Sequence, residues 1–258
     1  MPQYIDIEAA RRARGLRLVL TPGGPGPWSE AAKGFCHVKR LVYTPVEQPA
    51  MPDQQPLLDW TGQSLAPVAV LEDEEAVSAL ADILWLCEQL SPDPSLVPSS
   101  SEERVRMFGL MREISGQQGF GASRRLVMLR ENLARQPEGP GRDWTLGFAH
   151  KFGYSEDSAG AAQDRVVEVL ALLAAQLRHQ RAAGSRYLVG TSLTGLDIVW
   201  AAFAAMVAPL PEDVCPMARG LRRMYTASDP ETLEALVPEL LEHRDAIYRE
   251  HLALPLDF

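Results

Sequence analysis

The sequence predicts an α/β domain followed by an all-α domain, on three observations. Short apolar runs alternate with amphipathic segments over the first ninety residues, as in a small sheet with a crossover helix. A proline- and serine-rich stretch, residues 91–101 (SPDPSLVPSSS), then reads as a linker. Beyond it the apolar residues recur at three- and four-residue spacing, the period of a helix with one buried face. The chain of 258 residues is long enough for one large domain or two ordinary ones, and the change of period at the linker selects two. The expected boundaries are an N-terminal arm over 1–15, an α/β domain over 16–90, the linker over 91–101 and a helical domain over 102–258.

The elements follow in order. Residues 16–21 (LRLVLT) are a strand, closed by the turn signal Pro22-Gly23-Gly24-Pro25-Gly26-Pro27. Residues 28–40 form a helix started by Pro27, because proline presets the dihedral of a first helical turn. A second strand covers 41–46 and lies at an edge, since Pro45 cannot donate to a ladder. Residues 48–63 are proline-rich and read as irregular. Residues 67–71 (PVAVL) are a further strand, followed by an acidic turn over 72–75 and a short strand. Leu80, Ile83, Leu84 and Cys87 mark the buried stripe of a helix.

In the second half, Met107, Met111 and Ile114 form one stripe, and Val166, Val169, Leu170, Leu173 and Leu177 a longer one. Leu233, Leu236, Val237, Leu240 and Leu241 suggest a helix near the C-terminus. Residues 136–142 and 151–160 read as loops. Leu193-Thr194-Gly195-Leu196-Asp197-Ile198 is a complete helix-start device. Thr194 is the N-cap, Asp197 at N3 reaches back to the Thr194 N–H, and Leu193 with Ile198 forms the staple. The following residues 199–207 are apolar almost all round, so this helix is central and its cap is structural rather than chemical.

Charge and composition exclude several function classes. A net charge of −9 disfavours binding a phosphate backbone through a broad basic face, so no nucleic-acid partner is expected. No apolar run approaches the ~20 residues of a membrane span, and no secretory signal opens the chain. Cys36, Cys87 and Cys215 have no paired spacing, which excludes a disulfide scaffold and a cysteine zinc site and fits the cytoplasm. His37, His150, His179, His243 and His251 show no metal-ligand spacing, so no metal is expected, and His179 and His243 read as solvated. Arg124-Arg125 and Arg222-Arg223 read as exposed basic pairs that can border an anionic pocket.

Tyr187-Leu188-Val189-Gly190 with Leu193-Thr194 and Asp197-Ile198 resembles the pattern that begins the core helix of the glutathione transferase C-terminal domain. Ala66-Pro67-Val68 resembles the cis-proline motif of the partner thioredoxin-like domain, and Gly26-Pro27-Trp28-Ser29 resembles the start of its first helix. The resemblance runs over roughly residues 16–250. It implies a thioredoxin-like α/β domain joined to an all-helical domain, a homodimer, and a transferase that joins glutathione to a small hydrophobic electrophile. It also leaves open a non-catalytic member that binds glutathione or a partner protein, and a glutathione-dependent lyase or isomerase.

The resemblance places glutathione at the first helix N-terminus, against Gly26, Pro27, Trp28, Ala66, Pro67 and Ser78. A helix N-terminus with a hydroxyl donor favours a thiolate over a thiol, and the thiolate is the nucleophile. The family's Ser or Cys before the Pro-aromatic pair is Gly26 here, so the catalytic hydroxyl falls to Ser29, one turn on, with Thr21 and the more remote Tyr4 as alternatives. Ser29 also reads as a simple helix-start residue. Gly26 and Ser29 fill the positions of a Cys-x-x-Cys pair, which excludes dithiol exchange. A cis Ala66–Pro67 bond would turn the Ala66 N–H and C=O towards an extended peptide. Ser78 would open the next helix and hold the γ-glutamyl carboxylate, although Val77-Ser78 replaces the family's Glu-Ser. The aromatic stretch 144–154 (WTLGFAHKFGY) either overhangs a hydrophobic substrate site or covers the core.

Overall fold

The computed structural model describes residues 3–50 and 53–258. Its first half carries α1 (Ile7–Arg12), β1 (Leu16–Leu20), α2 (Pro27–Val38), β2 (Thr44–Glu47), α3 (Gln55–Thr61), β3 (Val68–Leu71) and α4 (Leu80–Leu90). Among the described residues the strands form one sheet in the order β2-β1-β3, with β1 parallel to β2 and antiparallel to β3. An isolated bridge, Ala69 to Val77, is all that forms of the short strand expected after the acidic turn.

Central β1 is buried along its whole length because helices cover both faces of the sheet. Leu16, Leu18 and Leu20 face α2 and α4. Val19 faces a smaller core with Ile7, Ala10, Val46 and Leu57. Arg17 shares that second face, and its guanidinium bonds to the Ala10 carbonyl at 3.1 Å and the Ala13 carbonyl at 2.8 Å. A cation there satisfies the free carbonyls at the end of α1.

Two expectations for this half are corrected. The segment before residue 16 is not a bare arm: it holds α1, and Ile5 pairs with Val46. The proline-rich stretch after residue 48 contains α3, with Pro56 in its first turn, where a missing N–H costs nothing. Gly62, at φ 69°, ends that helix in the left-handed region.

The second half is helical: α5 (Ser101–Ser115), α6 (Phe120–Arg135), α7 (Pro140–His150), α8 (Glu156–Ala182), α9 (Gly195–Phe203), α10 (Arg219–Tyr225), α11 (Pro230–Ala235) and α12 (Pro238–His251). Much of the two expected loops is helix, since Pro140 begins α7 and Ser155 caps α8. The C-terminal stripe is broken, not continuous. Pro238 starts a new helix and leaves Leu233 exposed on α11.

Helix α9 and the short 3-10 turn Ala204–Met206 are wholly buried and join the two halves in one core. A Cβ on Gly34 of α2 would lie 2.6 Å from Ile198 Cγ2, so glycine is what lets α2 and α9 approach. The Asp197 carboxylate accepts from the Thr194 N–H, the Thr194 hydroxyl and the Leu188 N–H, each at 2.8 Å. The expected box is present, and Asp197 additionally ties down the preceding loop. His243 is buried, contrary to the solvated reading. Its Nδ1 lies 3.2 Å from the Arg186 carbonyl, and its Nε2 is 3.1 Å from Asp197 Oδ1. Arg124 is also buried, bonding the Met206 carbonyl at 2.9 Å and Glu131 at 3.2 Å. Cys36 and Cys87, far apart in sequence, meet in the core with sulfurs 3.9 Å apart. No helix among the described residues is long and apolar enough to cross a membrane.

Candidate functional site

Helix α2 begins at the end of β1, and its N-cap is Gly26. Gly26 offers no side chain to the first turn, and Pro27 has no N–H, so Trp28 and Ser29 hold the first free donors. Ser29 is almost fully buried and faces back to the strand. Its Oγ accepts the Thr21 N–H at 3.1 Å and lies 3.4 Å from Thr21 Oγ1. A Cβ on Gly26 would stand 3.2 Å from Thr21 Cβ and 3.3 Å from its Oγ1. The Thr21 side chain therefore fills the space beside the helix start that a larger residue 26 would claim.

Two adjoining cavities open at this point. One, of about 350 Å³, is lined by Thr21, Gly26, Pro27 and Ser29 from the first half and by Met128, Phe148, Met206, Met224 and Tyr225 from the second. Its wall is mostly apolar, and burial pushes the Tyr225 phenol up to about 12. The other, of about 590 Å³, is lined by polar groups including Gln63, Ser64, Ser78, Ser115 and Gln117, together with Pro67. Trp28, Leu65, Ala66, Arg125 and Phe152 border both.

Every glutathione-site residue expected from the sequence thus borders one cavity or the other. Trp28 is fixed by a bond from its indole N–H to the Ser115 carbonyl at 2.9 Å and by edge contact with Phe203 at 4.7 Å between ring centres. The Ala66–Pro67 peptide bond is cis. The Ala66 N–H donates to Gln48 Oε1 at 2.8 Å, so a side chain already fills the role expected of a bound peptide.

Ser78 borders the polar cavity but does not open the next helix as expected. It precedes α4 by two residues, the N-cap is Ala79, and the Ser78 hydroxyl donates to Gln63 Oε1 at 3.1 Å. Thr194 and Asp197 line neither cavity. Nor does Tyr4, which lies near Lys33 and Glu30 and whose pKa is raised by burial. The aromatic stretch divides. Phe148 and Phe152 face the cavities, while Trp144 stacks on Phe148 from outside and is exposed.

Sequence reasoning read Arg125 as part of an exposed basic pair that can border an anionic pocket, and it does border both cavities. It is partly buried between two aromatic faces, 4.6 Å from the Trp28 ring centre and 4.6 Å from that of Phe152. Burial lowers its pKa, and Tyr225 opposes that shift. Gln48, Met224 and Tyr225 were not legible as site residues, because nothing in their local pattern separates a cavity wall from an ordinary core. No group of three or more His, Cys, Asp or Glu side chains suited to a metal occurs among the described residues.

A third cavity, of about 260 Å³, lies between α2, Tyr43 and the C-terminal segment. Lys33 bridges Glu30 at 3.1 Å and Asp257 at 2.9 Å across it. Burial raises the Glu30 carboxyl from 4.5 to about 6 despite Lys33. Folded Glu30 therefore binds its proton more tightly than in the unfolded chain. It stabilises the fold below the unfolded pKa, and a contribution of about 2 kcal/mol is lost as pH rises through the folded value. Denaturant unfolding of wild type and Glu30→Gln on either side of that window should show the wild type losing ground to the variant at the higher pH.

No family model matches the sequence, and no curated protein matches it. The fold is nevertheless similar to many solved structures. One is a glutathione transferase family member from Pseudomonas fluorescens Pf-5 with two glutathione bound, at TM-score 0.64 and 15% identity, covering 95% of this chain and 94% of that one. Another is a glutathione S-transferase from Methylobacillus flagellatus KT with glutathione bound, at TM-score 0.62 and 15% identity, covering 91% and 95%. A third, from Methylobacterium radiotolerans in complex with glutathione sulfonate, has TM-score 0.60 and 16% identity, covering 91% of both chains. The chain has the fold of the glutathione S-transferases, a thioredoxin-like α/β unit followed by an all-helical one.

Proposed function

We propose that this protein is a glutathione S-transferase that joins the thiol of glutathione to a small hydrophobic electrophile. The observation that carries the reading is the meeting of a polar groove and an apolar cavity at Trp28 and Ala66, with Thr21 and Ser29 on the wall of the apolar one at the start of α2. Glutathione occupies the polar groove, along Ala66, Pro67, Gln63 and Ser78, and displaces Gln48 from the Ala66 N–H. Its sulfur rests at the α2 N-terminus, where the helix dipole and free N–H groups favour the thiolate. Thr21 donates to that thiolate, and Ser29 in turn donates to Thr21, so the hydroxyl missing at position 26 is supplied from the end of β1. The thiolate attacks the electrophile in the apolar cavity, forming a C–S bond as the leaving group departs.

The α/β unit over 16–90 serves glutathione, and the helical unit over 102–258 serves the electrophile, with 91–101 as the linker between them. Cys36, Cys87 and Cys215, three buried cysteines without the paired spacing of a disulfide framework, support a cytoplasmic location. A homodimer is supported by exposed Trp85 on α4, which stacks on Phe108 of α5 at 5.8 Å beside exposed Val105. Light scattering tests it: a monomer removes the dimer from the reading.

Calorimetry with glutathione, followed by a thioether assay with 1-chloro-2,4-dinitrobenzene, tests the function. Binding with turnover supports the transferase. Absence of both overturns it. Binding without turnover favours a non-catalytic glutathione-binding protein, the second reading, for which Gly26 is the specific observation.

A further inference from the structure

Among the residues lining the apolar cavity, Arg125 is the one charged side chain. Its guanidinium is clamped between Trp28 and Phe152 at the junction of the two cavities. Neighbouring Arg124 turns inward to bond Met206 and Glu131, and Arg222 bonds the Leu210 carbonyl at 2.8 Å and the Cys215 carbonyl, so neither lines the apolar cavity. The contacts of Arg125, by contrast, are the faces of two rings.

Stacking between two rings satisfies the faces of a guanidinium but not its edge, where five N–H donors lie in the plane. A partly buried, uncompensated cation is costly, and a ligand carboxylate relieves that cost through two parallel bonds. Both aromatic faces are taken, so the edge is the part left for a ligand. The polar groove holds a second cation, Lys151, whereas the apolar cavity has Arg125 alone.

Building on the transferase reading, we propose that the electrophile taken by the apolar cavity carries a carboxylate, which Arg125 binds edge-on while Met128, Phe148 and Met224 enclose its apolar body. For a halonitrobenzoate, the glutathione thiolate forms a bond to the ring carbon bearing the halogen. The carbon–halogen bond breaks, halide leaves with the bonding pair, and the thiol proton has already passed to solvent. A phenyl-sized body fits a cavity of about 350 Å³.

The test measures binding of 4-chloro-3-nitrobenzoate and its neutral near-isostere 4-chloro-3-nitrobenzamide by calorimetry, without glutathione, to wild type, Arg125→Gln and Arg125→Lys. Wild type should prefer the carboxylate by about tenfold or more, the scale of one charge-assisted bidentate contact. Arg125→Gln should lose that preference while still binding the amide, which reports an intact cavity. Arg125→Lys should keep part of it as a point charge. Equal binding of both ligands by wild type, or a preference that survives Arg125→Gln, overturns the proposal. Glutathione binding to the same variants supplies the rival outcome. Weakened glutathione with unchanged carboxylate preference assigns Arg125 to the tripeptide and overturns it too. Because the carboxylate arm contains no glutathione, it stays readable if the transferase reading fails.

Discussion

Asp197→Ala should destabilise the protein by about 2–5 kcal/mol, because two buried N–H groups lose their acceptor at once and each unpaired group costs about 1–3 kcal/mol. The two are the Leu188 and Thr194 amides, held by the two oxygens of a carboxylate with no solvent exposure. The Thr194 hydroxyl and His243 face the same cavity that the truncation leaves. Asp197→Asn keeps one acceptor and should cost less. Thr194→Ala, which removes only the hydroxyl, should cost about 0.5–2 kcal/mol, as cap deletions do. Denaturant unfolding measures all three. Glutathione affinity of the folded protein should not change, since Asp197 lines neither cavity. An Asp197→Ala protein as stable as wild type would show that the loop before α9 finds other partners.

Thr21→Val should lower kcat/KM for aryl halides by about 10–100-fold near neutral pH, the scale of losing one donor to a developing anion. It should also move the ionisation of bound glutathione to higher pH while leaving glutathione affinity nearly unchanged. That split separates an activating hydroxyl from one that only packs. Ser29→Ala should act in the same direction and more weakly, because Ser29 is buried and reaches the sulfur through Thr21. Thr21→Ser should retain most activity. In the double variant Thr21→Ala with Gly26→Ser, the smaller residue 21 makes room for a hydroxyl at 26, and part of the activity should return. If Thr21→Val keeps the wild-type pH profile, the hydroxyl plays no part.

The local pattern carried much of the fold. Strands β1 to β3, helices α2 and α4, the central burial of α9 and the capping pair Thr194–Asp197 were legible, because hydrophobic period and cap chemistry act over a few residues. Prolines misled the reading where they begin helices rather than end them. Pro56 and Pro140 hide α3 and α7 inside apparent loops, and Pro238 divides a stripe that looks continuous.

The site was legible only in part, and for a physical reason. Gly26-Pro27-Trp28-Ser29 and Ala66-Pro67 could be named because each is a short contiguous stretch that resembles a motif of the glutathione transferases. Which way a hydroxyl points is not. Ser29 turns back to Thr21 because the end of β1 presents an unpaired N–H there. The Arg124-Arg125 pair makes the same point. One guanidinium neutralises the end of the 3-10 turn at Met206, and the next, one residue on, faces a cavity between rings drawn from α2 and from the turn after α7. By itself the sequence determined the strands and helices of an α/β half, the helical period of the half that follows, and a capped central helix. Only the tertiary structure decided which charges are buried, which hydroxyl borders the cavity and which cation is left for a ligand, because those depend on contacts between residues far apart in the chain.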